Sequence, residues 1–376
     1  MLDVQTPVIP VVGRWIAETP GTISLGQGIV SWGPPPQALD ALRAFPTGDG
    51  DHRYGPVEGL DPLVQLIAEK LEAENRIAPR GNRIFVTAGG NLAFMNAILA
   101  ITDPGDEIIL PVPYYFNHEM AIVMAGCRPV PVATDARYQL RLDALAAAIT
   151  PRTRAIVTVS PNNPTGAVYP EAALRDVNAL CRDRGLYHVN DEVYEYFTYG
   201  GTPHFSPASI AGAEEWTISL YSLSKAYGMA SWRLGYMVVP EALWEPVNKI
   251  QDTILICAPH ATQDAAIAAL KVGRAWTAPK LEPLARMRER AWTTLSEVAE
   301  VPRADGAFYY LIKAGTSLDP MTACERLIRE HRVAVIPGSA FGVTEGCTLR
   351  VSFGALEEHT AGEGLDRLAA GLRAIR

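Results

Sequence analysis

RIFVTAGGNLAFMNAILAI, residues 83–101, runs from a short β-branched stretch through two glycines into apolar residues at helical spacing. A strand that passes directly into a helix is the building unit of sheets covered by helices. The same alternation recurs downstream. EIILP at 107–111, AIVTV at 155–159 and LYHVN at 186–190 are strand-like, and Pro170–Arg184 has the length and apolar spacing of an amphipathic helix. The pattern predicts an α/β fold with a mainly parallel sheet. Beyond Pro259 the chain reads as more continuously helical, through Ala261–Lys271 and Pro279–Val298. AFYYLI at 307–312, TLRVSF at 348–353 and a helical stretch from Thr360 then predict a smaller α/β unit. The first 45 or so residues, with GPPP at 33–36, show no strong period and predict a segment that wraps over another part of the molecule.

A chain of 376 residues is too long for one small core, and 48% hydrophobic with 20% charged residues is ordinary for a globular protein, so two packed domains are expected. A formal charge of -8 supplies no basic stripe for a phosphate backbone, which argues against nucleic acid and for a small-molecule site. Cys127, Cys181, Cys257, Cys324 and Cys347 are odd in number and nowhere form a CxxC pair, so they predict buried thiols in a reducing compartment and no metal site. The start, MLDVQTPVIPVVGRW, lacks the basic beginning and apolar core of a signal peptide. No later apolar run approaches the ~20 residues that cross a bilayer. A cytoplasmic protein is expected, without a membrane partner.

Chemistry concentrates where strands end. In SLSKAYGMASWRLGY, residues 222–236, Lys225 follows an apolar strand and is flanked by Ser222, Ser224 and Arg233. Alone, a lysine at a strand end just reaches solvent. Hydroxyls with a guanidinium make a phosphate clamp, however, and a desolvated lysine beside them is depressed in pKa and nucleophilic toward a carbonyl. A phosphate-bearing aldehyde satisfies all of them. In NDEVYEYF at 190–197, Asp191 stands at the carboxyl end of a hydrophobic strand, where open α/β sheets bind ligands. The segment equally suits a solvated turn. If the strand is central, the carboxylate needs a cationic partner, such as the protonated nitrogen of a pyridine ring.

Four further segments fit around these two. SPNNPTG at 160–166 is turn chemistry in which Asn163 could point its amide at a ring oxygen. TAGGN at 87–91 leaves backbone N–H groups open to an anion at a helix start. In PVPYYFNH at 111–118 the aromatics suit a core, and Tyr115 also suits stacking on a flat ring. LRVSFG at 349–354 puts Arg350 on an apolar strand, where a bidentate carboxylate would offset the cost of burying it.

Taken in order, these motifs resemble the fold-type I pyridoxal-phosphate (PLP) enzymes, in particular class I/II aminotransferases related to aspartate and kynurenine aminotransferases. The likeness runs from LGQG at 25–28 through RYGPVEG at 53–59, NPTG, DEVY and SLSK to LRVSFG. It implies a mainly parallel seven-stranded sheet in a large PLP-binding domain, residues 46–278, and a small domain built from 1–45 and 279–376. It implies Lys225 as the Schiff-base lysine, Asp191 at the pyridine nitrogen, and Tyr194 and Asn163 at the ring hydroxyl oxygen. Gly89, Gly90, Asn91, Ser222, Ser224 and Arg233 would surround the phosphate, and Tyr115 would stack on the ring. Arg350 would bind the substrate α-carboxylate beside Gly28 and Asn163. Tyr54 matches a tyrosine that reaches the neighbouring subunit's phosphate, which implies a homodimer.

Two stretches depart from the family pattern. Gly90 and Asn91 stand where Ala or Ser and then Gln are commoner, and IVSWGPPP replaces an acidic-aromatic turn, so that Trp32 is a candidate for the side-chain pocket. Because Trp15, Trp32 and Tyr54 lie in segments the family folds over the substrate, aromatic or other largely apolar donors are expected, with simple packing as the alternative. The reaction implied is ping-pong transamination between an α-amino acid and a 2-oxo acid. Elimination, replacement or cyclisation on the same scaffold is the alternative, and a PLP-sensing transcription regulator is a third, which would need an added basic DNA-binding domain.

Overall fold

Each β-branched run named above forms a strand. The computed structural model describes residues 3–78 and 83–376; residues 1–2 of the N-terminal segment and 79–82 of the expected large domain lie outside the described residues. The chain begins with α1 (Val8–Glu18), β1 (Ile23–Ser24), α2 (Pro36–Ala44) and α3 (Asp61–Lys70). It continues through β2 (Ile84–Thr87), α4 (Gly90–Ile101), β3 (Glu107–Val112), α5 (Phe116–Met124), β4 (Arg128–Ala133), α6 (Leu142–Ala147) and β5 (Thr153–Val159). Next come α7 (Glu171–Arg184), β6 (Tyr187–Asp191), β7 (Thr217–Ser222), the one-turn α8 (Leu223–Ala226), β8 (Gly235–Val238), α9 (Trp244–Ile254) and α10 (His260–Val272). The last part holds α11 (Arg274–Ser296), β9 (Ala299–Glu300), β10 (Tyr309–Ala314), α12 (Pro320–His331), β11 (Val333–Ala334), β12 (Ile336–Pro337), β13 (Cys347–Ser352) and α13 (Glu358–Ala374).

Seven strands form one sheet in the order β2-β8-β7-β6-β5-β3-β4. Only β8 runs against its neighbours, β2 and β7, so the sheet is mostly parallel but mixed. Apart from the edge strand β4, its strands are buried on both faces, as a helix-covered sheet requires. On one face Phe85, Val157, Val189 and Leu220 pack with Phe94, Ala97 and Ile98 of α4. On the other, Ile109 and Ile156 pack with Val177 and Cys181 of α7. This sandwiching puts the carboxyl ends of β2, β3, β5, β6 and β7 along one edge, where an open α/β sheet offers a crevice.

A second sheet, β12-β13-β10-β9, is antiparallel, with Arg350 of β13 opposite Leu311 and Ile336. The N-terminal strand β1 pairs in parallel with β11 of this unit, Ile23 opposite Val333. Two local expectations differ from what forms. The N-terminal segment, which shows little period, contains two helices. In α1, Val8 and Val12 make a narrow buried stripe with Ile16 against Ile328 and Phe341, and Pro10 falls in the first turn, where its missing N–H costs nothing. The long helix begins at Arg274, not Pro279, and carries both Pro279 and Pro283 inside it. An interior proline costs a helix about 3 kcal/mol. A tertiary contact holds the turn before it, Thr277 Oγ1 donating to the carbonyl of Ala226 at 2.8 Å, and within the helix the Lys280 ammonium sits over the Trp276 ring.

Candidate active site

A cavity of about 580 Å³ opens at the carboxyl edge of the large sheet and is closed on its far side by β13 of the small unit. Lys225 enters it from α8. Ser222 ends β7 and caps α8, its Oγ accepting from the N–H of Ser224 at 3.1 Å, so strand and turn aim the lysine inward. Lys225 Nζ donates to the carbonyl of Gly28 at 2.6 Å. Burial, then the nearby Arg350 and Arg233, lower its pKa to about 8, with Asp191 pulling the other way. An amine so depressed is available as a nucleophile and a base near neutral pH.

Asp191 ends β6 inside the cavity. Its Oδ1 accepts from the Val193 N–H at 3.0 Å and its Oδ2 lies 3.2 Å from His118 Nε2. His118 is buried on α5, stacked on Phe94 with ring centroids 3.9 Å apart, so both partners of the pair are held by packing. Tyr115 lies edge-on to that imidazole, its hydroxyl accepting from Asn117 Nδ2 at 2.8 Å. Burial pushes the Tyr115 and Tyr194 phenols up, keeping both as neutral donors. Tyr194 shares a 2.8 Å hydrogen bond with the Tyr309 hydroxyl and receives a long one, 3.5 Å, from Asn163 Nδ2.

An anion cradle lies at the mouth. Gly89, at φ 81°, caps α4, and the exposed Arg233 crosses it, its Nη2 3.4 Å from the Ala88 carbonyl. A Cβ on Gly89 would stand 2.5 Å from that Nη2, so only glycine lets the guanidinium and the helix N-terminus meet. Gly90 differs: a Cβ there would meet Val193 at 3.4 Å, an ordinary contact. Asn91 is exposed on the same turn.

Arg350 is 2% exposed. Its Nη1 donates to Asn163 Oδ1 at 2.9 Å and its Nη2 to the Gly26 carbonyl at 2.7 Å. Its Nε has no partner, and no carboxylate lies within ion-pair distance among the described residues. A buried guanidinium met only by neutral acceptors is a site for an incoming carboxylate. Gly28 keeps the space in front of it: a Cβ there would sit 2.8 Å from the Tyr309 hydroxyl.

The cavity thus brings together Lys225, Asp191, Tyr194, Asn163, Tyr115, Ser222, Ser224, Gly90, Asn91, Arg233, Gly28 and Arg350, with Gly89 behind Arg233. It does not include Trp32. That indole donates to the Ala226 carbonyl at 3.4 Å and stacks on Phe197, behind the site, because the loop is seated by its backbone on Gly228. Tyr54 is 81% exposed and away from the cavity of its own chain. Trp15, on α1 itself, is half-buried and packs against the core. The apolar wall is made instead by Pro7, Ile9, Pro10, Ile29 and Phe116. Sequence reading also passed over His118 and Tyr309. His118 follows Tyr115 by three residues on a helix start, a spacing that puts both on one face; Tyr309 is hidden in an apolar strand.

Comparison with known proteins agrees with this chemistry. The profile of the family "Aminotransferase class I and II" matches residues 20–368. An aromatic aminotransferase of Arabidopsis thaliana is 34% identical, the alignment covering 100% of this chain and 95% of the relative. A probable aspartate/prephenate aminotransferase of Aquifex aeolicus is 35% identical, covering 87% and 85%. The structure of Thermus thermophilus aspartate aminotransferase with maleate superposes with a TM-score of 0.91 at 31% identity, over 98% of both chains. A lysine, a carboxylate and an anion cradle on the strand ends of a fold-type I sheet are what that likeness leads one to look for, and the chain belongs to the class I and II aminotransferases, PLP-dependent enzymes of amino-group transfer.

Proposed function

We propose that the enzyme takes aromatic or other largely apolar α-amino acids as donors and passes their amino group to a 2-oxo acid in a ping-pong cycle. The observation that carries the donor class is the wall. Three cations line the cavity, Lys225, Arg233 and Arg350, and each has a task there, while Pro7, Ile9, Pro10, Ile29 and Phe116 face the remaining space. A second carboxylate on the donor would find no cation of its own among the described lining residues, at a desolvation cost. The Arabidopsis relative is named for aromatic substrates, which supports the same direction.

The residues fit PLP. When bound, the cofactor supplies an aldehyde carbon for the amine and an electron-withdrawing ring. In our reading Lys225 Nζ takes the cofactor and later carries the substrate's α-proton, a task suited to an amine near pKa 8. Asp191, fixed by Val193 and His118, holds the proton on the ring nitrogen. Tyr194 and Asn163 serve the ring hydroxyl oxygen, and Tyr115 stacks on the ring. Gly89, Gly90, Asn91, Ser222, Ser224 and Arg233 hold the phosphate. Arg350, with Asn163, binds the α-carboxylate in the space that Gly28 leaves open.

The proposal includes a cytoplasmic homodimer and the domain division at residues 46 and 279. All five cysteines are free, which suits a reducing compartment. Tyr54 projects its phenol into solvent, as a residue reaching a partner's phosphate would. A monomer in sedimentation equilibrium at micromolar concentration would break the dimer. The donor class is tested by half-reactions: single amino acids are mixed with PLP-loaded enzyme and the visible absorbance is followed. Phenylalanine, tyrosine and leucine should exceed aspartate in kcat/KM by about tenfold or more. Aspartate reacting faster would overturn the donor class, and an oxo acid released with ammonia, without stoichiometric amino transfer, would favour elimination.

A further inference from the structure

The residue after Lys225 has a carbonyl that two distant elements share. Ala226 closes the one-turn helix α8, so its carbonyl has no partner within that helix. Thr277 Oγ1, fully buried in α11, donates to it at 2.8 Å. Trp32 Nε1, from the N-terminal loop, donates to it at 3.4 Å. The loop is locked in place independently: Gly228 has φ 63°, and a Cβ there would lie 2.4 Å from the Trp32 carbonyl and 2.6 Å from that of Gly33. The indole also lies on Phe197, ring centroids 6.3 Å apart, and Phe197 packs edge-on against Tyr194. Neither Thr277 nor Trp32 lines the cavity, so neither touches the substrate.

We propose that Thr277 and Trp32 are positioning residues for Lys225, clamping its turn through the shared carbonyl of Ala226 and so fixing where Nζ sits relative to Gly28 and Asp191. The inference rests on Lys225 as the cofactor's lysine. The charged groups that act on Nζ are Arg350, Arg233 and Asp191, and neither clamp residue is charged. The clamp therefore works on geometry: moving the turn changes the distance of the amine from those three groups and from its target. It also explains why α11 starts ahead of two interior prolines. The turn that holds Thr277 is tied to the lysine's turn rather than left as a loop.

Thr277→Val keeps the shape and removes the donor, Thr277→Ser restores it, and Trp32→Phe keeps a ring without the N–H. With PLP-loaded enzyme, Thr277→Val should lower kcat roughly tenfold while KM for the donor stays within about twofold. It should also shift the pH midpoint of the visible absorbance, which a merely structural loss would leave in place. Thr277→Ser should return both toward wild type. Trp32→Phe should be milder, and the double variant should lose more than the product of the single losses, since each donor left alone still holds the carbonyl in part. A wild-type kcat and midpoint in Thr277→Val, or a double variant equal to that product, would overturn the clamp. Should Thr277→Val fail to fold, Trp32→Phe carries the same readouts, and an unmoved midpoint in it overturns the proposal. Borohydride fixation and peptide mapping of the wild type keep the two questions apart, because a label on another lysine refutes the site and not the clamp.

Discussion

At one end of the cavity Lys225 and Asp191 hang from the ends of neighbouring strands of one sheet, with Arg233 beside them; at the other, Arg350 of the small sheet meets Gly26, Asn163 and Tyr309 from three other parts of the chain. The first end is a balance of charges. Burial and two guanidinium groups press the lysine down while Asp191 lifts it. The second end is an imbalance, a single buried cation held by neutral oxygens. Charge balance suits a group that must gain and lose a proton, whereas a missing counter-charge suits a group that must bind one.

The comparison predicts losses of different kind and size. Lys225→Ala should reduce turnover on the order of 10⁴-fold and abolish the borohydride-stable PLP label, with the fold intact by circular dichroism. Substantial turnover in that variant would mean the charge-balanced end is not the reacting one. Asp191→Asn should cost on the order of 10³-fold in kcat and far less in PLP content, because the cradle still retains the phosphate. Near-normal kcat there would remove Asp191 from the ring nitrogen.

Arg350→Lys tests the other end. An ammonium lacks the planar fork, so kcat/KM should fall about 10- to 100-fold for every α-amino acid, with the PLP spectrum unchanged. A loss confined to acidic donors would show that Arg350 reads a side chain. The smallest effect is on pH. In cofactor-free enzyme, PLP capture needs unprotonated Nζ, so its rate should rise with pH and level off above about 8. Arg350→Met removes a charge that lowers the lysine and should move the midpoint up; Asp191→Asn removes one that raises it and should move the midpoint down. Stopped-flow absorbance on adding PLP reads both, and a shift of the same sign in the two variants would break the contrast between the ends.

The charge-balanced end was the more legible in the sequence, and for a physical reason. Strand periods end where loops must turn, so Gly89, Asp191 and Lys225 stand out at the breaks of β2, β6 and β7. Arg350 stood out because a cation on an apolar strand is expensive. What stayed hidden depends on contacts between distant segments. The antiparallel course of β8 follows from pairing, not from its own residues. His118 acquires its meaning only where α5 crosses the end of β6. Trp32 read as a pocket residue because an aromatic in a loop suggests a ligand, but its loop is drawn behind the site by the seat on Gly228. The helices α1 and α2 escaped because their buried stripes are short and each carries a proline in its first turn, and burial against other elements stabilises them.

The pairing of β1 with β11 also bears on when the site can exist during synthesis. Ile23 and Ser24 leave the ribosome early, yet their partners Val333 and Ala334 are made when nearly all of the chain is out, as is Ser352, whose N–H binds the carbonyl of Leu25. A nascent chain that ends before β11 already carries Asp191 and Lys225 on a complete sheet. It has no Arg350, and the ledge bearing Gly26 and Gly28 lacks the backbone of β11 and Ser352 that pairs with Ile23, Ser24 and Leu25, so the cavity is among the last parts of the molecule to close.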